Sequence, residues 1–313
     1  MVMAAQQQTV HDRLLKKNNR NAEKIERKGK IIVYGCASII ILATMSITLF
    51  LLTKGLQAFV VNGVNPISFL TGFDWNPTRS EANGGPVYGA LPFIFGSFAV
   101  TILAALVAAP LGVGAAIYMI EIAPSWGKRI LQPVIELLVG IPSVVYGFIG
   151  LSVIVPFVRQ YVGGQGFGLL AGTIVLSVMI LPTVTSIATD ALRTLPNGLR
   201  ESSLALGATR WQTIRRVLLP AAWPMLLTAI VLGMARAFGE ALAVQMVIGN
   251  ARTIAESLTD PTATLTTIIT LNMGHTVQGS VDNNVLWSLG LILLVMSYIF
   301  ILIIRFLSSR RSF

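Results

Sequence analysis

Residues 201–220 read ESSLALGATRWQTIRRVLLP. The stretch is basic and amphipathic, yet it lies between two strongly apolar segments of a chain that is 54% hydrophobic. Asn197 is placed to cap a first short helix, with Glu201 in its first turn, where the helix dipole favours an acid. Gly207 breaks that helix, and Thr209-x-x-Gln212 has the pattern of a capping box opening a second one. On the second helix Trp211, Ile214 and Leu218 share a face, while Arg210, Arg215 and Arg216 point elsewhere. Pro220 stands at the start of the next apolar run. The predicted object is a helix–turn–helix elbow over 199–216, within a loop 189–221, lying at a membrane surface. Four readings are open on these residues alone: a helix flat on the lipid, a segment packed on its own bundle, an ordinary loop with helical propensity, or a dock for a cytoplasmic partner.

Working outward, the rest of the chain defines the membrane. Mean hydropathy is +0.74, only 12% of residues are charged, and apolar runs of about 20 residues recur, the length that crosses hydrocarbon as helix. Six spans are predicted, at about 31–52, 93–120, 133–157, 168–188, 222–248 and 285–307. The runs are continuous rather than alternating, which excludes a strand-built barrel. The fold class is therefore an all-α integral membrane protein. A basic arm over 1–30 precedes the six-span domain of 31–307, and a tail follows over 308–313.

The formal net charge of +10 records topology. Residues 1–30 carry eight Lys/Arg, 121–132 two, 189–221 five and 305–313 three. The alternate loops 53–92, 158–167 and 249–284 carry four together. Eighteen against four places both termini and the elbow in the cytoplasm. Nucleic acid is thereby set aside as a partner, while anionic lipid stays a secondary one. The charged region of the first 30 residues is too long for a cleaved leader, so an uncleaved anchor is expected. Cys36 is the single cysteine, and His11 and His275 are isolated, so no disulfide and no metal site is expected.

Some motifs have plain structural readings. The glycines at 163, 164 and 166 suit a tight external turn, and no GxxxxGK[ST] occurs for a nucleotide. Pro110, Pro142, Pro156, Pro182 and Pro224 interrupt spans; bundle packing is the favoured reading, with hinge points for alternating access as the other. Gly140-Ile-Pro-Ser143 stands apart, because a pair of breakers and a hydroxyl coincide midway along the third predicted span. The TATLTTIITLNMG stretch is too short and polar to cross and is expected as a surface or re-entrant helix.

Arg236 and Glu240 fall near the middle of the fifth predicted span. A charge at the bilayer centre costs roughly 2.5–3.5 kcal/mol on insertion scales, so such residues face a bundle interior or a wet cavity. Their i, i+4 spacing puts them on one helix face. They form either a structural ion pair or an anion-transit site, where an Arg fork suits a tetrahedral oxyanion. Glu136 is expected to be interfacial and structural.

Glu201-x5-Gly207, followed by Ile214 and Leu219-Pro220, resembles the EAA loop of ABC importer permease subunits, with Glu-Ser-Ser in place of Glu-Ala-Ala. FDWNP (73–77), VYGALPFIFGS (87–97), APLGVGAAIYMIEIAP (109–124), GIPSVVYGF (140–148), GMARAFGEALAV (233–244) and SLTDPTATLTTIITLNMG (257–274) resemble the PstC family of phosphate-importer permeases. The resemblance implies a type I ABC importer permease fold in a bacterial cytoplasmic (inner) membrane. It assigns ATPase coupling to Glu201, Ser202, Ser203, Gly207 and Ala208, and the substrate pathway to Arg236, Glu240 and Ser143. It also implies a PstA-like second permease, two PstB-like ATPases binding Mg-ATP, and an external PstS-like phosphate-binding protein. This chain would then hold no cofactor and would not itself be an enzyme. A permease for sulfate or molybdate, a self-contained secondary anion transporter, and a non-transporting scaffold are the competing readings.

Overall fold

The computed structural model describes the backbone of residues 2–309 and the side chains of 26–82, 84–302, 305 and 306. The solvation expected of the arm for residues 1–25, His11 included, and the tail over 310–313 lie outside these. Two units divide the chain, Met1–Thr53 and Lys54–Phe313. Helix α1 runs Val2–Val60, and its apolar part, Glu26–Val60, is long enough to cross a bilayer.

Within the second unit, α2 (Pro66–Thr71) is capped by the Asn65 side chain and leads to a two-stranded hairpin, β1 (Trp75–Asn76) against β2 (Val87–Tyr88). Then come α3 (Leu91–Ile117), α4 (Ser125–Gly140), α5 (Ser143–Ile149), α6 (Val155–Tyr161) and α7 (Leu169–Arg193). The elbow is α8 (Asn197–Ala205) and α9 (Arg210–Thr213), followed by α10 (Leu219–Phe238). The chain closes with α11 (Leu242–Gln245), α12 (Leu265–Asn272) and α13 (Val281–Ser309). One π-helical turn (118–122) extends α3, a second (150–154) joins α5 to α6, and a third (214–218) joins α9 to α10. Among the described residues six helical stretches are long and apolar enough to span a membrane, as the all-α reading requires.

Contacts give the relative directions of the spans. Ser177 Oγ of α7 donates to the Ala104 carbonyl of α3 at 3.2 Å, and Val184 meets Gly112. Both helices advance together, so the second and fourth spans are parallel. Thr183 pairs with Arg236, whereas Thr194 pairs with Met225, so α10 runs against α7. These alternations are those of a chain that crosses at every span.

Small residues allow close approach, as membrane bundles require in the absence of a hydrophobic drive between helices. A methyl group on Gly150 would sit 2.5 Å from Val175, on Gly147 2.7 Å from Met246, and on Gly233 2.7 Å from Val184. Ala104, Ala108, Leu176 and Ile180 fill the centre with Val244, Val247 and Ile248. Phe69, Phe93, Phe238 and Leu286 form a second cluster around the hairpin and α12. Tyr88 donates its hydroxyl to Asp282 at the start of α13. Burial and that acid together push the phenol above its ordinary range. Leu106, Leu137 and Phe148 are exposed, as residues facing lipid should be.

Two predicted spans differ from the structure. The third, expected over 133–157, is divided: Ile141 and Pro142 are extended, and the crossing helix is Ser143–Tyr161. A residue before proline is driven out of the α region, so the breakers end one helix and start another. Helix α4 is left as a separate amphipathic helix with only Gly127 and Ile135 buried. The fifth, expected as helix over 222–248, stops at Phe238. The following 242–248 segment folds back into the central cluster instead. Periodicity could not separate these cases, since a buried apolar loop and a buried apolar helix look alike.

Candidate functional site

The early end of α10 explains how an Arg reaches membrane depth. Met225 is level with Thr194 at the end of α7, and α10 advances thirteen residues to Phe238, about 20 Å at 1.5 Å per residue. It therefore stops partway through the bundle, and its C-terminal carbonyls carry negative partial charge there. Arg236 occupies that last turn. Its Nη1 donates to Thr183 Oγ1 at 3.0 Å, some 21 Å along α7 by the same rise. No other acceptor for the half-buried guanidinium occurs among the described residues. Tyr146, one turn beyond Ser143 on α5, is buried in the same cluster as Ala237, the neighbour of Arg236. Ser143 itself is half-buried in the first turn after the Ile141-Pro142 break.

Glu240 is not on the same helix face as Arg236, because Gly239 caps α10 between them. Nor is it the Arg236 counter-ion: among the described residues the ion pairs are Glu26–Lys30 and Glu121–Arg200. The Glu240 carboxylate accepts the Ala243 N–H at 3.1 Å, and its carbonyl accepts the Thr266 hydroxyl at 2.8 Å. Glu240 thus holds α11 and α12 onto the end of α10. Helix α12 is buried rather than superficial. Thr264 and Thr267 form its capping box, and Leu265 N–H donates to Ser97 Oγ of α3 at 2.9 Å.

The elbow forms a second candidate site. Pro196, not Asn197, precedes α8, so Asn197 is its first residue and Glu201 falls beyond the first turn. Gly207 has φ +81°, the left-handed conformation that ends a helix without a Cβ penalty. Thr209 and Gln212 make the capping box reciprocally. Ser203 is buried, with its hydroxyl 3.0 Å from that of Thr213, and this bond closes the elbow's inner angle. Ile214 and Leu218 are buried, but Trp211 is 61% exposed. Leu206 (89%) and Leu204 (48%) are also open, with Glu201, Ser202 and Gly207 exposed and Ala208 half-buried between them.

Several residues gain importance only in three dimensions. Glu121, in the turn that extends α3, meets Arg200 of α8 at 2.7 Å. Together with Leu204, Arg210, Thr213 and Ile214 they line a cavity of about 230 Å³ on the elbow. Thr183 and Tyr146 join the Arg236 neighbourhood. Sequence separation hides all four, since Glu121 and Arg200 are 79 positions apart and Thr183 and Arg236 are 53 apart. At the far end of the bundle a cleft of about 990 Å³ lies among Asp74, Trp75, Arg79, Arg252 and Glu256.

Residues 108–313 match the family described as "binding-protein-dependent transport system inner membrane component". The chain is 66% identical to the probable ABC transporter permease protein YqgH of Bacillus subtilis (strain 168), over the full length of both. It is 32% identical to the phosphate transport system permease protein PstC of Xylella fastidiosa (strain 9a5c), over 90% of each chain. The PstC of Mesorhizobium japonicum is 36% identical over 78% of each. Among solved structures, a bacterial alginate ABC transporter chain covers 92% of this chain and 96% of its own, with TM-score 0.61 and 17% identity. A chain of the MetNI methionine ABC transporter covers 70% and 94%, with TM-score 0.56 and 23% identity. The last two establish the importer-permease fold alone. The chain belongs to the binding-protein-dependent transport system inner membrane components, a family of multi-pass ABC importer permeases.

Proposed function

We propose that this chain is the permease subunit of an ATP-driven importer of inorganic phosphate, forming half of the translocation pathway. The observation that carries it is Arg236: a guanidinium partway through the bundle, hydrogen-bonded to a neutral hydroxyl and neutralised by no acid among the described residues. A charge placed there at the expense of desolvation needs a compensating anion, and a mobile one supplies it during passage. A single Arg with one hydroxyl makes a weak site, as a conduit that must release its ion requires. The PstC relatives favour phosphate among tetrahedral oxyanions.

Ser143 borders the pathway through the break before α5, and Glu240 shapes it by anchoring α11 and α12. Glu201, Ser202, Ser203, Gly207 and Ala208 present the elbow to a separate Mg-ATP-binding ATPase in the cytoplasm. The exposed Leu204, Leu206 and Trp211 give that dock its apolar area. A PstA-like permease, two PstB-like ATPases and a PstS-like binding protein complete the assembly. The deciding experiment is radiolabelled phosphate uptake into proteoliposomes holding this chain with those partners, with and without ATP. Uptake that requires ATP and resists competition by sulfate and molybdate is expected. Uptake driven by an ion gradient alone would sink the reading.

A further inference from the structure

Arg200 is the most completely engaged charged side chain among the described residues. Its Nε and Nη2 donate to Glu121 Oε1 at 2.9 and 2.7 Å. Nη2 also donates to the Leu192 carbonyl at 3.2 Å, and Nη1 to the Leu195 carbonyl at 3.3 Å and Asn197 Oδ1 at 3.4 Å. All five N–H donors of the guanidinium are thereby used. The acceptors belong to three different pieces: the π-helical turn that ends the second span, the C-terminal end of α7 in the fourth, and the start of the elbow. Side-chain exposure is 20% for Arg200 and 14% for Glu121, so solvent screens the pair less than a surface bridge.

Local stability alone would not demand this arrangement. The last carbonyls of a helix lack intrahelical donors and sit at its negative end, so any nearby cation would satisfy α7. Only the planar fork of Arg reaches α7 and Glu121 at once while standing on a third element. The turn that carries Glu121 is π-helical, a geometry common where a helix yields at a functional point. Further along α7 is Thr183, the hydroxyl that accepts from Arg236.

We infer that Arg200 is the positioning residue that ties the elbow to the second and fourth spans, so that all three shift together. This rests on the elbow being the ATPase dock. Movement of α8 then carries the ends of α3 and α7 with it, and α7 carries Thr183 relative to Arg236. A lysine keeps the charge and loses the fork; a glutamine loses both.

The test uses the full transporter in proteoliposomes, comparing wild type, Arg200→Lys and Arg200→Gln. Uptake and ATP hydrolysis are measured on the same vesicles. Amide hydrogen exchange is compared between nucleotide-free and vanadate-trapped states. In wild type, exchange at 118–122 and at 192–205 should respond to nucleotide together. In Arg200→Gln the elbow should still respond while 118–122 does not, and uptake per ATP hydrolysed should fall about tenfold or more. Arg200→Lys should lie between. Full rescue by lysine would show that charge alone suffices and would overturn the inference. So would a nucleotide response at 118–122 that persists in Arg200→Gln, a wild-type elbow indifferent to nucleotide, or uptake and hydrolysis lost in equal proportion. Failure of the wild type to take up phosphate removes only the proposed cargo, because the exchange comparison requires nucleotide and no particular anion.

Discussion

Arg236 and Glu240 differ in kind, although four positions apart. Arg236 holds a lone charge against Thr183, whereas Glu240 spends its carboxylate on the backbone of α11. Arg236→Gln therefore removes the charge that an anion would meet while keeping a polar side chain of similar reach. A hydrogen bond to a charged group contributes about 1.5–3 kcal/mol, so phosphate uptake should fall at least about tenfold with the purified complex still intact. Elution of the variant as separated subunits would instead make Arg236 a structural residue. Asp260 offers a different residue-scale test, in the loop outside the spans. Hydrogen bonds from Ser257, with a further one from the Glu256 backbone, hold its carboxyl below the ordinary 3.8. A lowered pKa means that the anion favours the folded loop. That contribution is present above pH 3.8 and disappears as pH falls through the lowered value. Asp260→Asn should make the 249–264 loop more sensitive to protease at neutral pH, whereas the native loop should gain that sensitivity only under acid below the ordinary carboxylate range. Equal cleavage of the two proteins at pH 7 would remove Asp260 from the account of that loop.

At the scale of elements, the elbow depends on the conformation of Gly207 more than on space around it. A Cβ there would touch nothing within 4 Å, yet φ is +81°. Non-glycine residues in that conformation cost roughly 1–2 kcal/mol, and Asn tolerates it best. Transport by Gly207→Asn should accordingly exceed that by Gly207→Val, with both proteins inserted to wild-type levels. The reverse order would remove the left-handed backbone of Gly207 from the account of the turn. Gly96 presents the opposite case. A methyl group there would come within 2.2 Å of the Ala263 carbonyl, where α12 seats on α3. Gly96→Ala should expose α12 and lower the complex's melting temperature. The elbow was legible in the sequence because its signals are local: a glycine, a capping pair and an apolar face lie within 20 residues. The end of α10 was not. Its stop at Phe238 is set by Glu240 capping α11 and by Thr266 reaching back to the Glu240 carbonyl, contacts that no hydropathy window contains. The Ile141-Pro142 break was visible as residues but misplaced, because apolar character runs through it on both sides. Arg200 with Glu121 was wholly hidden, each residue being an ordinary charge near a span end.

For the whole molecule, orientation follows from charge and crossing number together. We propose that the elbow faces the cytoplasm: six helices among the described residues are long and apolar enough to cross, and eighteen basic residues lie in the segments on the elbow's side against four in the alternate loops. The parallel course of α3 and α7, and the antiparallel course of α10, keep Arg79 and Arg252 at the end opposite the elbow. Single-cysteine labelling reads this directly once Cys36 is replaced by alanine. Thr78→Cys, in the exposed loop after β1, should react with a membrane-impermeant maleimide in intact cells. Leu206→Cys, at an elbow position that is 89% exposed, should react only after permeabilisation. The reverse pattern would place the elbow outside, where no ATPase could reach it, and the coupling role of Gly207 and Arg200 would go with it. Protection of Leu206→Cys in permeabilised cells by the ATPase subunit, and its return when that subunit is left out, would locate the dock on the elbow. Labelling unaffected by the ATPase would leave the inward orientation standing and move the dock off Leu206.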